Sequence, residues 1–319
     1  MRHLITGAAG FIGSQLADAL LADGDVVAGV DDFYLGKPAH LAAARANPRF
    51  SFVQADVSDV AGATKAFQAL AGDAPPDLIW HLAANSDIAA GVADPSIDFR
   101  RTLQTTFATI EAAKAIGARA VAFASTSAVY GESDRLLVEE LGPLLPISNY
   151  GAAKLASEAL LSAAAESSLD RLWIFRFPNV IGPRATHGAL YDFAGRLASR
   201  PASLRVLGDG TQTKPYLHVS ELIAAMRFIV ANARERRNVF NIGPETAGSR
   251  VSFLAETMIA RMAPGTPIAY SGGDRGWVGD VPRFAYSTEK LARLGWRPNL
   301  SSDDAVRRAA DELALETVS

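Results

Sequence analysis

Arg2-His3-Leu4-Ile5-Thr6-Gly7-Ala8-Ala9-Gly10-Phe11-Ile12-Gly13 is the stretch that decides the fold. Residues 2–6 read as a short strand, and an amphipathic helix opens near Gly13-Ser14-Gln15-Leu16. Three glycines at a spacing of three stand between them, each with a physical purpose. Gly7 permits a tight turn, Gly10 lets the backbone approach a pyrophosphate, and Gly13 lets the helix lie close against the strand. The helix N-terminus then presents unpaired N–H groups to phosphate oxygens. The spacing is GxxGxxG, not GxGxxG, so a second signal is needed. Residues 26–30 supply it as a second strand that ends in Asp31-Asp32. An acidic residue there suits the ribose hydroxyls of NAD and repels the 2′-phosphate of NADP.

The rest of the composition is that of an ordinary globular chain, 319 residues long, 49% hydrophobic and 20% charged. Such a length holds one large domain or two coupled ones. With a net charge of −3, nothing favours nucleic acid or an anionic membrane as a partner. There is no cysteine, which excludes disulfides, thiolate metal sites and cysteine nucleophiles and fits a reducing compartment. The first strand starts at residue 2, leaving no room for a signal peptide. No run of about 18 apolar residues marks a membrane span. The expectation is a cytoplasmic protein that carries no metal.

The first half alternates strands (2–6, 26–30, 50–55, 77–84, 120–125, 172–176) with helices (60–71, 95–117, 150–165). This is the pattern of a Rossmann-type, doubly wound parallel sheet of the α/β class. Residues 33–47 form a mixed segment with a short helix. After Asn179 the chain carries more Pro, Gly and Arg and shorter elements, with no repeat or linker. The expected organisation is an NAD-binding domain over 1–178, also taking in parts of 215–243. A smaller C-terminal α/β substrate domain over 179–319 closes over a ligand.

Further blocks follow in order: Asp56-Val57, His81-Leu82-Ala83-Ala84, Ser125-Thr126-Ser127-Ala128-Val129-Tyr130-Gly131, Tyr150-Gly151-Ala152-Ala153-Lys154 and Arg176-Phe177-Pro178-Asn179-Val180-Ile181-Gly182-Pro183. With them the sequence resembles the extended short-chain dehydrogenase/reductase family, in its nucleotide-sugar epimerase/dehydratase branch. The resemblance covers nearly the whole chain.

Tyr150 and Lys154 share one face of a helix. A free tyrosine, with a pKa near 10, is a poor base at neutral pH. A neighbouring ammonium and a bound nicotinamide cation favour the phenolate, which makes Tyr150 a general base for a sugar hydroxyl. The resemblance adds that Lys154 bonds the nicotinamide ribose. It also places Thr126 where the family has its catalytic Ser or Thr, addressing the same substrate oxygen as Tyr150. In the family's dehydratases and decarboxylases acidic residues follow that Thr, and its 3,5-epimerases use a Cys. Here Ser127-Ala128 follows and no Cys exists. The activity implied is an NAD-dependent 4-epimerisation of a nucleotide sugar through a transient 4-keto sugar. A UDP-sugar of the glucose/galactose type is favoured. A dehydratase or other net-redox enzyme, and a non-catalytic NAD-binding regulator, are the alternatives.

The cofactor contacts implied are Gly7, Gly10, Phe11, Ile12 and Gly13 from the turn, and Asp31 and Asp32 from the second strand. Asp56 and Val57 follow at the adenine, then Leu82, Ala83 and Ala84, and then Ser125, Tyr150, Lys154 and Phe177. Substrate contacts fall to one of Asn85-Ser86-Asp87, with Ser86 favoured, to Thr126, Asn179 and Leu190, to Val206 in the strand whose backbone reads the base, and to Lys214 and Arg275 at the diphosphate. Lys214 stands where the family has an Arg; it supplies charge without bidentate geometry. Arg275 stands two residues before Trp277, which with Asp280 occupies the family's other phosphate motif. His81 reads as a structural strand-end histidine. By resemblance, the helices at 95–116 and 150–165 pair across a homodimer.

Overall fold

A computed structural model of the chain describes residues 1–245, 248–273 and 286–318. Six strands arise where the alternation puts them: β1 Arg2–Thr6, β2 Val26–Asp31, β3 Phe50–Gln54, β4 Leu78–His81, β5 Ala120–Thr126 and β6 Arg171–Phe177. With the later strand Arg237–Asn241 they form one seven-stranded sheet, in the order Arg237–Asn241, β6, β5, β4, β1, β2, β3. Every pairing in it is parallel. Chain direction therefore reverses its advance between β1 and β4, the position at which such sheets open a ligand crevice.

The strands are apolar on both faces because both are covered. Ile5, Trp80 and Phe175 pack with residues of helices Phe11–Ala22 and Val219–Asn232. Leu4, Ile79 and Val121, pointing the other way, pack with Phe67, Ile110 and Leu161 of helices Val60–Ala71, Thr105–Ile116 and Asn149–Ala165. Asp59 caps the first of these helices by accepting from Gly62 N at 2.7 Å.

Two elements differ from their sequence reading. The fourth strand stops at His81 instead of reaching Ala84, because Ala83 N donates to Thr6 Oγ1 (3.2 Å) and the chain leaves the sheet there. The helix expected over 95–117 is built in three parts: Pro95–Asp98, a π-helical stretch Phe99–Gln104, and Thr105–Ile116. His81 is structural, as read. It is pinned between Thr6 Oγ1 (2.8 Å) and Thr106 Oγ1 (3.0 Å). Burial, with the Lys154 charge, pulls it down to about 3, so it stays neutral.

The second half adds short strand pairs: Asn179–Ile181 with Tyr216–His218, Thr213–Lys214 with Ser249–Arg250, and Leu204–Val206 with Ile268–Tyr270. Helices Ala189–Ala198, Val251–Met262 and Ser302–Val318 join them around a separate apolar cluster that includes Leu190, Phe193, Leu254 and Val306. Among the described residues no helix is long and apolar enough to cross a membrane.

Candidate active site

The C-terminal ends of β1, β4 and β5 meet under a cavity of about 780 Å³. One end is floored by the glycine turn. Gly7 has φ +73°, and a Cβ there would stand 2.8 Å from Ala83 N; a Cβ on Gly13 would stand 2.1 Å from Gly7 O. Backbone occupies the space of both side chains, so helix Phe11–Ala22 starts hard against the end of β1. Gly10, its cap, offers no side chain to the first amides, which leaves them open to an anion. These are the features a dinucleotide requires.

Asp31 fastens this turn to β2: Oδ2 accepts from Ala9 N (2.9 Å) and Oδ1 from Phe33 N (2.7 Å). Burial pushes its carboxyl up in spite of those bonds. Asp32 Oδ2 meets Arg101 Nη1 at 2.8 Å. Phe11 and Ile12 line the cavity, as do Asp56, Val57, Leu82, Ala83, Ala84 and Phe177. Ser125 also borders it, but its hydroxyl is turned away and donates to Glu158 Oε1 at 2.5 Å.

At the other end the three expected catalytic side chains come together. Thr126 ends β5, and its Oγ1 accepts from Ala128 N (3.1 Å) to start the turn Ser127–Tyr130. Helix Asn149–Ala165 carries Tyr150 and Lys154 and is capped by Ser148, which accepts from Gly151 N at 3.1 Å. Gly151 seats that helix on the turn, since a Cβ there would stand 2.7 Å from Ala128 O. Thr126 stands close enough to the Tyr150 phenol to act on it. Lys154 is buried; its Nζ donates to Ala124 O (2.6 Å) and lies 6.0 Å from the centre of the Tyr150 ring.

Burial governs the electrostatics of this pair. Burial pushes the Tyr150 phenol up to about 12, opposed by the Thr126 hydrogen bond and aided by the Asp98 charge. Burial also pulls Lys154 down to about 7, although Glu158 and Asp98 both act to raise it. Lys154 Nζ is spent on the Ala124 carbonyl, and desolvation outweighs the Thr126 hydrogen bond at Tyr150 and the charges of Glu158 and Asp98 at Lys154.

Of the expected substrate residues, Ser86, Thr126, Asn179, Leu190 and Lys214 line the cavity. Val206 does not. It is fully buried in the apolar cluster, and its carbonyl accepts from Ser271 N at 3.0 Å, so the next residue, Leu207, forms the wall. Arg275 lies outside the described residues, as do Trp277 and Asp280.

Three groups beside the site, Glu158, Asp98 and Arg101, went unread in the sequence. Glu158 takes Arg176 in a two-point bond, Nε to Oε1 at 3.0 Å and Nη2 to Oε2 at 2.7 Å, all of it buried. Asp98, also buried, holds Asn85 Nδ2 at 2.8 Å and stands close enough to bias both Tyr150 and Lys154. Arg101 reaches the cavity from the π-helical stretch. KxxxE spacing after Tyr150 was the one available signal, since it puts Glu158 a turn below Lys154.

Comparison with known proteins agrees with this geometry. Residues 3–243 match the model of the NAD dependent epimerase/dehydratase family. A UDP-glucose 4-epimerase of Mycolicibacterium smegmatis is 32% identical over 98% of each chain. A dTDP-glucose 4,6-dehydratase of Streptomyces griseus is 30% identical, covering 95% of this chain and 91% of its own length. Among solved structures, the UDP-glucose 4-epimerase of Thermus thermophilus in complex with NAD superimposes with a TM-score of 0.85 at 28% identity, covering 98% of this chain and 99% of that one.

Proposed function

The chain belongs to the NAD-dependent epimerase/dehydratase family, and from that premise we propose that it is a nucleotide-sugar 4-epimerase, acting foremost on a UDP-sugar of the glucose/galactose type. It is an enzyme whose cofactor is NAD. The observation that carries the finer reading is the convergence of Thr126, Tyr150 and Lys154 at one end of a cavity whose other end is a dinucleotide turn. When bound, NAD supplies a hydride acceptor for carbon 4 of the sugar and the source of its return.

The chain's own groups handle the proton. Tyr150 Oη takes it from the carbon 4 hydroxyl and gives it back, and Thr126 Oγ1 orients that hydroxyl toward Tyr150. Lys154 Nζ, anchored to Ala124 O, is placed to bond the nicotinamide ribose. No carboxylate occupies Ser127 or Ala128 to protonate a leaving hydroxyl, which favours epimerisation over the dehydration performed by one of the relatives. In the same reading, residues 1–178 with parts of 215–243 hold the cofactor, and the smaller domain over 179–319 holds the nucleotide sugar.

The test is proton NMR of the purified protein with UDP-, dTDP-, GDP- and CDP-sugars and no added nicotinamide. Appearance of the carbon 4 epimer is expected. A keto-deoxy product, or no change after NAD is added, would overturn the reading.

Because Tyr150 works as a base and burial holds its phenol above the ordinary value, kcat is expected to rise with pH across the neutral to mildly alkaline range. Raising pH populates the phenolate. A kcat profile falling over that range would contradict the role of Tyr150.

We also propose a homodimer through the helical stretches 95–116 and 150–165, the first of which exposes Phe99 and Phe107 at 57% and 47%. Light scattering should give twice the chain mass. Phe107→Glu should give the monomer, and a monomeric wild type would remove the proposal.

A further inference from the structure

A 4-epimerase regenerates NAD in each turnover and gains from never releasing it, and on that reading one contact acquires a role. We propose that Arg101, tied to Asp32 and stacked on Tyr34, is a latch that spans the adenosine end of the cavity and slows the escape of NAD.

The two walls of the latch come from opposite sides of β1. Asp32 and Tyr34 follow β2, whereas Arg101 lies beyond β4, and β1 with its glycine turn stands between those strands. All three side chains border the cavity, together with Asp31, Asp56 and Val57. The guanidinium makes two contacts at once: Nη1 meets Asp32 Oδ2 at 2.8 Å, and Cζ lies 3.5 Å from the centre of the Tyr34 ring. A bond between the walls therefore joins the two sides of the cavity across the position of β1.

Both walls are built to present these groups. Phe33 has φ +62°, a left-handed backbone that is unusual for an aromatic residue. Two bonds hold that turn, Phe33 N to Asp31 Oδ1 (2.7 Å) and Tyr34 N to Asp32 Oδ1 (2.9 Å), while the Phe33 ring lies 5.3 Å from that of Phe52. Arg101 sits in a π-helical turn, a rare conformation that recurs at functional sites. Asn85 fixes that turn from behind: its N–H donates to Thr102 Oγ1 (3.1 Å) and its amide to Asp98 Oδ1 (2.8 Å). Asp32 and Arg101 are each about a quarter to a third exposed, at 27% and 30%. That is open enough for the pair to break and re-form, and for salt to weaken it.

The experiment follows NAD release from the holoenzyme by dilution into an excess of an NAD-trapping enzyme, read by fluorescence, at low and high salt. In wild type, release should accelerate with ionic strength. In Arg101→Met, release at low salt should be roughly five- to tenfold faster, the sum of a modest ion pair and a cation–π contact, and insensitive to salt. Tyr34→Leu, made on the opposite wall, should give a smaller acceleration that stays salt-sensitive. Release from Arg101→Met at the wild-type rate would overturn the latch. So would NADP binding as tight as NAD that disappears in Arg101→Met, since Arg101 would then be a 2′-phosphate ligand. These rates are independent of sugar turnover, so a protein that retains NAD through the latch but epimerises nothing would sink the proposed activity and leave the latch standing.

Discussion

Tyr150→Phe is expected to lower kcat for 4-epimerisation by roughly 10²–10⁴-fold, the range for a lost acid–base group. KM for the nucleotide sugar and NAD content should change little. The phenyl ring keeps its place beside Thr126 and 6.0 Å from Lys154 Nζ, so packing is preserved and only the proton-carrying Oη is lost. Thr126 cannot take over. Its Oγ1 already accepts from Ala128 N, and a hydroxyl is far too weak a base to work alone. The measurement is steady-state epimerisation by NMR, with the NAD content of each preparation quantified. Turnover of Tyr150→Phe within a factor of about three of wild type would refute the mechanism.

Glu158→Leu should be the most damaging substitution away from the reacting atoms, costing about 3–5 kcal/mol of stability. Arg176 is 5% exposed, and its Nε and Nη2 are both spent on Glu158. Its Nη1 goes to Tyr130 Oη at 3.0 Å and to Glu139 O at 3.2 Å. Removing the carboxylate leaves a buried cation with neutral partners only and strips Ser125 Oγ of its acceptor. Adding Arg176→Met should restore much of the loss, because an apolar pair of similar volume carries no buried charge. Denaturant midpoints for the two single variants and the double variant give the coupling. A Glu158→Leu protein within about 1 kcal/mol of wild type would show that the pair is solvated. Lys154 reports the same event chemically: Glu158 acts to raise it, so its pKa should fall further below about 7 in Glu158→Leu.

The parts of this protein that could be read from sequence are those set by near neighbours. Gly7 and Gly13 declare their turn because strand, turn and helix are consecutive, and Tyr150 and Lys154 declare a shared face because four residues make one turn of helix. What those residues touch was not local. The height of Lys154 Nζ is fixed by a carbonyl of β5, 30 residues away, so spacing foretold its proximity to Tyr150 but not that burial would govern both. Asp32 and Arg101 are separated by 69 residues, and no periodicity in either segment refers to the other. Val206 shows a subtler limit. The strand was placed correctly, but strand residues alternate sides, and the wall fell to Leu207. The π-helical stretch at Phe99–Gln104 left no mark at all, since its apolar spacing is that of an ordinary helix.

The last strand of the sheet, Arg237–Asn241, bears on how the molecule comes to exist. During synthesis β6 emerges with one edge bare, and its partner is not made until the chain has passed through Asn179–Ile181, the helix Ala189–Ala198 and the helix Val219–Asn232. Until then Leu172, Ile174 and their backbone groups form an open parallel edge, the kind that templates association between nascent chains. The sheet thus cannot close until residue 241 has been made, so the segment that carries helix Ala189–Ala198 must leave the ribosome before the sheet is safe.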